Sequence, residues 1–157
     1  MRIIADEMFS PKIVRHISET FLRANWRFDT IQSANLRGRA DEAWIATFAR
    51  SGGNAIISGD RAMLKRLELV RQISETGLIG IYLPSKWSQS RAHEQMAYCI
   101  YWWKKIEETI NQSTPGSVWL TPNGMGSGEL RQHQDKKAIK RARQEANRQI
   151  PRDGQRA

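Results

Sequence analysis

One cysteine, Cys99, is present in 157 residues. A lone thiol excludes an intrachain disulfide and a cysteine-rich zinc site, and Cys99 reads as a small buried side chain rather than a nucleophile. No apolar run approaches the roughly 20 residues of a membrane-spanning helix. The opening Met1-Arg2-Ile3-Ile4-Ala5-Asp6 reaches an acidic pair too soon for the apolar stretch of about 7–15 residues that marks a secretory signal. A cytoplasmic location with no membrane partner is therefore expected. No internal repeat is visible. His16 and His93 have no partner at metal-ligand spacing and read as structural.

Acidic residues are the minority charge, 16 Asp and Glu against 25 Lys and Arg, for a net charge of +9. Such a balance speaks about partners rather than fold. At this level nucleic acid, an acidic protein and an anionic surface all stay open. The length suits one domain with a tail, and 39% apolar residues suffice for one core.

The pattern along the chain alternates short apolar runs with helical periodicities. Arg2 to Ala5 reads as a strand. Ser10-Pro11 has the form of an N-cap followed by proline at the first helical position, and Ile13, Val14, Ile17, Phe21 and Leu22 carry a helix to about Ala24. A second strand is expected over Trp26 to Ile31. Asp41 suits the cap of a second helix bearing Trp44, Ile45 and Phe48, ended by Ser51-Gly52-Gly53. Ala55 to Ser58 is the continuous apolar run of a buried parallel strand. Asp60 opens a third helix with Met63, Leu64, Leu67, Val70 and Ile73 inward, stopped by Gly77. Leu78 to Leu83 is another strand, and a long helix over about Ser90 to Ile110 places Met96, Ile100, Trp103 and Ile106 inward. Trp102, on the same helix, reads as an interface residue and makes a homodimer a candidate assembly. Pro115 to Leu120 closes the series.

Alternating strands and helices with short connections imply an α/β fold, a mostly parallel sheet flanked by helices. Composition changes after Leu120. Residues 121–128 read as a Gly/Pro linker, dividing a domain over 1–120 from a basic tail over 121–157. Glu129 to Ala157 holds nine Lys and Arg against four Asp and Glu, a net of +5. Lys136, Lys137, Lys140, Arg141 and Arg143 would grip phosphates in a salt-sensitive manner. The same segment reads equally as a solvated extension, helical when bound and frayed when free.

Three acidic clusters stand out: Asp6-Glu7, Asp41-Glu42 and Asp60. Asp6 and Asp60 follow apolar strands, where sites form in parallel sheets. Carboxylates at such an edge suit a hard divalent cation, Mg²⁺ or Mn²⁺, which activates water and stabilises a leaving oxygen in phosphodiester hydrolysis. Asp6 and Asp60 are the expected direct ligands, Asp41 or Glu42 the third, and Glu7 reaches the site if the chain turns there. Taken singly, Asp41 and Asp60 equally suit helix caps. Arg37 and Arg39, flanking Gly38, are placed to hold substrate phosphates.

These residues also resemble a known family. Ile4-Ala5-Asp6-Glu7-Met8-Phe9-Ser10-Pro11, Leu36-Arg37-Gly38-Arg39-Ala40-Asp41-Glu42-Ala43-Trp44-Ile45 and Ala55-Ile56-Ile57-Ser58-Gly59-Asp60-Arg61 resemble, in order, three motifs of PIN-like nuclease domains. They are similar to the small members related to VapC-type toxins of bacterial toxin–antitoxin pairs. The resemblance covers residues 1–85 well, 86–120 loosely and the tail not at all. It implies a three-layer α/β/α fold, an acidic Mg²⁺ site, endoribonuclease activity and inhibition by a cognate antitoxin. Asp6, Asp41 and Asp60 would form the acidic core, with Glu42 and Glu7 accessory, and Ser58 would lie beside the last acid. With Ser58, Arg37, Arg39, Arg61, Lys136 and Lys137 are the expected substrate contacts. Arg61 to Leu67 contains no fourth acid, a departure from the larger PIN pattern that leaves one metal or two open. A catalytically weak nucleic-acid-binding or regulatory protein on the same scaffold is the alternative. An aspartyl phosphatase would want a Lys and Ser/Thr arrangement that is absent.

Overall fold

The computed structural model describes residues 1–134 and 136–149. Six strands form one sheet in the order β2-β1-β3-β4-β5-β6: β1 (Arg2–Ala5), β2 (Arg27–Thr30), β3 (Ala55–Ser58), β4 (Ile79–Tyr82), β5 (Val118–Leu120) and β6 (Arg131–Gln132). The first five are parallel and β6 pairs antiparallel to β5. Six helices accompany them: α1 (Pro11–Thr20), α2 (Asp41–Arg50), α3 (Leu67–Thr76), α4 (Ser85–Ser88), α5 (Ala92–Gln112) and α6 (Lys136–Gln149). Side chains alternate across the strands. Ile3, Ala5, Ile57 and Ile81 pack with α1 and α5, while Ile4, Ile56 and Tyr82 pack with α2 and α3. Both sheet faces are thus covered, which is why β1, β3 and β4 read as nearly continuous apolar runs, broken by Arg2 at the start of β1 and Ser58 at the end of β3. The result is the expected three-layer α/β arrangement.

Local chemistry sets the element ends. Ser10 Oγ accepts from Lys12 N at 3.3 Å with Pro11 in the first turn. Helix α1 stops at Thr20, short of Ala24, because the chain turns back: Arg23 N donates to Glu107 Oε1 at 2.8 Å and Asn25 takes a left-handed φ of 67°. Gly77 ends α3 at φ 74°, where a Cβ would be strained.

The expected third helix is two pieces. A 3₁₀ turn runs over Arg61–Lys65, Arg66 is extended (φ −89°, ψ 94°), and α3 follows. The break rotates the inward face. Met63, Leu69 and Ile73 are buried, whereas Leu67 is 60% exposed and Val70 only half-buried. The short α4 was not anticipated. On α5 the buried stripe is Tyr98, Cys99, Trp102, Trp103, Ile106 and Ile110, with Met96 and Ile100 only partly covered. Trp102 is 1% exposed and belongs to the core, so the homodimer expectation loses the interface residue it used.

What covers that helix is residues 121–128. Tyr98 Oη donates to the Pro122 carbonyl and lies 2.7 Å from the Thr121 hydroxyl, and Trp87 Nε1 donates to the Asn123 carbonyl at 3.0 Å. Trp102 Nε1 reaches the Gly124 carbonyl at 3.1 Å, Tyr101 Oη that of Gly126 at 2.6 Å and Lys105 Nζ that of Gly128 at 2.6 Å. Tyr98 and Trp102 bury their rings in the core, Trp87 packs against it and Tyr101 stays half exposed, while the polar tips of all four satisfy backbone carbonyls. The Gly/Pro segment is therefore laced along α5 and delivers the chain to β6. Trp102→Ala should cost about 3–5 kcal/mol, read as a lower urea midpoint at unchanged slope.

Candidate active site at the carboxyl edge of the sheet

From β1 the chain crosses through α1 to β2 on one side. From β2 it crosses through α2 to β3 on the other. The crevice between the ends of β1 and β3 is the switch point where parallel sheets build sites. Asp6 stands there, just past β1, with its N–H on the Ile57 carbonyl at 3.1 Å. It is 7% exposed. Met8 N donates to Asp6 Oδ1 at 3.0 Å, Gly59 N lies 3.5 Å from the same oxygen, and the Ser58 hydroxyl donates to Oδ2. Ser58 is fully buried, and its Oγ also accepts from Asp60 N at 3.0 Å. One hydroxyl thus joins the end of β1 to the chain leaving β3.

Burial pushes the Asp6 carboxyl up to about 6 from 3.8; the bonds from Ser58, Gly59 and Met8 pull it down, and the Asp60 charge adds a further upward push. The Asp60 side chain caps the 3₁₀ turn through Ala62 N at 2.8 Å. Glu7 is exposed. It lines, with Asp6, Thr30, Gln32 and Arg37, a cleft of about 290 Å³.

Asp41 does not cap α2. The cap position is Ala40, without a side-chain bond. Asp41 Oδ1 accepts from Trp44 Nε1 at 3.1 Å and Oδ2 from Arg66 Nη1 at 2.8 Å, while Arg66 Nη2 donates to Glu42 Oε1 at 2.5 Å. The extended backbone at Arg66 lets one guanidinium bridge both carboxylates. All three side chains are about half exposed, so the pairing adds little stability.

Tyr82 was missed by sequence reasoning, because an aromatic in an apolar strand carries no signal of its own. Its hydroxyl is buried with no hydrogen-bond partner among the described residues. Burial, then the charges of Asp6, Asp60 and Asp41, push it above the usual phenol range. All three aspartates thus lie within electrostatic reach of this hydroxyl.

Among the described residues no group of three or more His, Cys, Asp or Glu is gathered tightly enough to hold a metal ion. Asp6 and Asp60 are the pair whose hard oxygens suit Mg²⁺ or Mn²⁺, ions that take one or two carboxylates and fill the remaining positions with water and phosphate. Asp41 and Glu42 are already held by Arg66.

The other expected contacts lie as follows. Arg37 is in the cleft beside Asp6. Arg39 donates to Thr47 Oγ1 at 3.3 Å on α2. Arg61 donates to the Thr121 carbonyl at 2.6 Å and lies 3.4 Å from Asn123 Oδ1. The side chains of Lys136 and Lys137 lie outside the described residues. Cys99 is buried and its thiol is pushed up to about 12 by burial, unsuited to a nucleophile.

A carboxyl held above its ordinary value binds its proton more tightly when folded. The contribution of Asp6 to stability therefore falls as pH rises through the window from about 4 to about 6. Asp6→Asn should make the metal-free protein more stable than wild type at pH 7 by up to about 2–3 kcal/mol, with no difference near pH 3.5. Urea titrations across that range measure it.

Searches of curated proteins and of solved structures find no match. A family model described as "PIN like domain" matches residues 1–85, more than half of the chain and the whole stretch that carries Asp6, Asp41, Ser58 and Asp60. The chain belongs to the PIN-like domain family.

Proposed function

We propose that the protein is a metal-dependent endoribonuclease and the toxin of a type II toxin–antitoxin pair. The observation that carries the nuclease reading is the Asp6–Ser58–Asp60 arrangement at the switch point of the sheet. Asp6 and Asp60 would hold Mg²⁺ or Mn²⁺. When bound, such an ion supplies an activated water and a counter-charge for the leaving oxygen. The chain's own groups do the rest. The Ser58 hydroxyl and the Met8 and Gly59 N–H groups favour the ionised Asp6 carboxylate and fix its orientation. Arg37 offers a guanidinium to a phosphate in the cleft beside Asp6 and Glu7. The net charge of +9 supports a polyanionic substrate. The ordered resemblance of the three motifs to VapC-type proteins supports RNA as substrate and a cognate antitoxin as partner.

A second reading, a nucleic-acid-binding protein that does not cut, is favoured by Arg66, which occupies Asp41 and Glu42 and leaves two carboxylates for a metal. Calorimetric titration with Mn²⁺ separates the two: RNA affinity without any Mn²⁺ heat belongs to the second.

Asp6→Asn and Asp60→Asn should each abolish RNA cleavage in Mn²⁺ and relieve growth arrest on expression, with the circular dichroism spectrum retained. Cutting by both variants at the wild-type rate would sink the mechanism.

A further inference from the structure

Strand β5 is parallel to β4 and β6 returns antiparallel beside it. The start of β6 therefore lies at the same sheet edge as Asp6 and Asp60. There a cleft of about 290 Å³ is lined by Arg61, Thr121, Asn123, Glu129 and Arg131 among others. A second, of about 570 Å³, shares Leu120 and Arg131 and continues past Gln132, His133 and Gln134. The two form a path that starts one residue beyond Asp60 and follows the outer strand.

The charges along this path are unbalanced. Arg61 is pinned by the Thr121 carbonyl at 2.6 Å, its Nε is buried without an acceptor, and no carboxylate pairs with it among the described residues. Arg131 is exposed and also lacks an ion pair among them. Burial lowers the Arg61 guanidinium from its ordinary value, and the nearby Arg131 charge lowers it further. Glu129, the acid in the lining, is taken by Lys105. Two guanidiniums lining one cleft without an anion are an arrangement that a phosphate would relieve. A charge on the last strand also guards an open sheet edge against pairing, but that role needs neither the half-buried Arg61 nor the cleft.

We propose that Arg61 and Arg131 form a phosphate clamp for a single-stranded polynucleotide, leading its backbone from the Asp6–Asp60 centre along β6. The proposal rests on the nuclease reading and adds the substrate path. It brings residues 121–134, outside the stretch matched to the family, into substrate binding. Gln132, His133 and Gln134 supply hydrogen-bonding groups for bases farther along.

The test is fluorescence anisotropy of a short labelled single-stranded RNA with the full chain in EDTA, so that cutting does not interfere. Arg131→Ala should weaken binding about tenfold and lower the slope of log K against log salt by about 0.7. Arg131→Glu should weaken it more. Both should melt as the wild type does, because Arg131 is exposed. Arg50→Ala, at the far end of α2, should bind as the wild type. Unchanged affinity and slope in both Arg131 variants would overturn the clamp. If the wild type still cuts RNA in that case, the nuclease reading stands alone; a wild type that neither binds nor cuts RNA sinks both. Competition by polyglutamate as strong as by unlabelled RNA would assign the groove to an acidic protein and overturn the polynucleotide path.

Discussion

A carboxylate almost cut off from water is held in the crevice where the sheet's crossovers diverge. Asp6 would be costly to keep charged there without partners. The fold supplies three: the Ser58 hydroxyl, the Met8 N–H and the more distant Gly59 N–H. Those same contacts tie the turn after β1 and the chain after β3 to one point, and Asp60 is positioned by its N–H on Ser58 Oγ. The bonds only partly offset burial, so the carboxyl stays near 6. The parallel sheet is what makes this possible, since it brings the ends of β1, β3, β4 and β5 to one edge.

The second organising device is the aromatic face of α5. Tyr98, Tyr101 and Trp102 turn their polar tips, with that of Trp87 from α4, onto successive carbonyls of residues 121–126. A segment with little apolar content gains order because its backbone acceptors meet donors that are themselves anchored in or against the core. This lacing carries the chain to β6 and sets Arg131 at the same edge as the acids. Arg66 plays a comparable part on the other face, where a single extended residue between the 3₁₀ turn and α3 lets a guanidinium span Asp41 and Glu42.

Much of this was legible in the sequence, and the exceptions share a cause. The runs Arg2 to Ala5 and Ala55 to Ser58, the Ser10-Pro11 start and the Gly77 stop were visible because each depends on its own neighbours. Asp6 and Asp60 were visible for the same reason, as acids directly after apolar strands. The third helix was misread because Met63, Leu64, Leu67 and Val70 fit one helical period, while the extended Arg66 that interrupts it is rewarded only by acids more than twenty residues away. Asp41 read as a cap, yet its oxygens go to Trp44 and Arg66. Trp102 read as an interface because its cover, residues 121–128, has the composition of a free linker.

By itself the sequence determined the alternation of strands and helices, the parallel α/β class and the order of the acids, since hydrophobic period, caps and stops act within a few residues. Tertiary structure alone decided that Asp6 and Asp60 share Ser58, that Tyr82 lies within reach of their charge, that Arg66 claims Asp41 and Glu42, and that Arg61 and Arg131 line one cleft. Those outcomes depend on which strands become neighbours and on where buried hydrogen-bonding groups find partners, and both are settled only when distant segments pack.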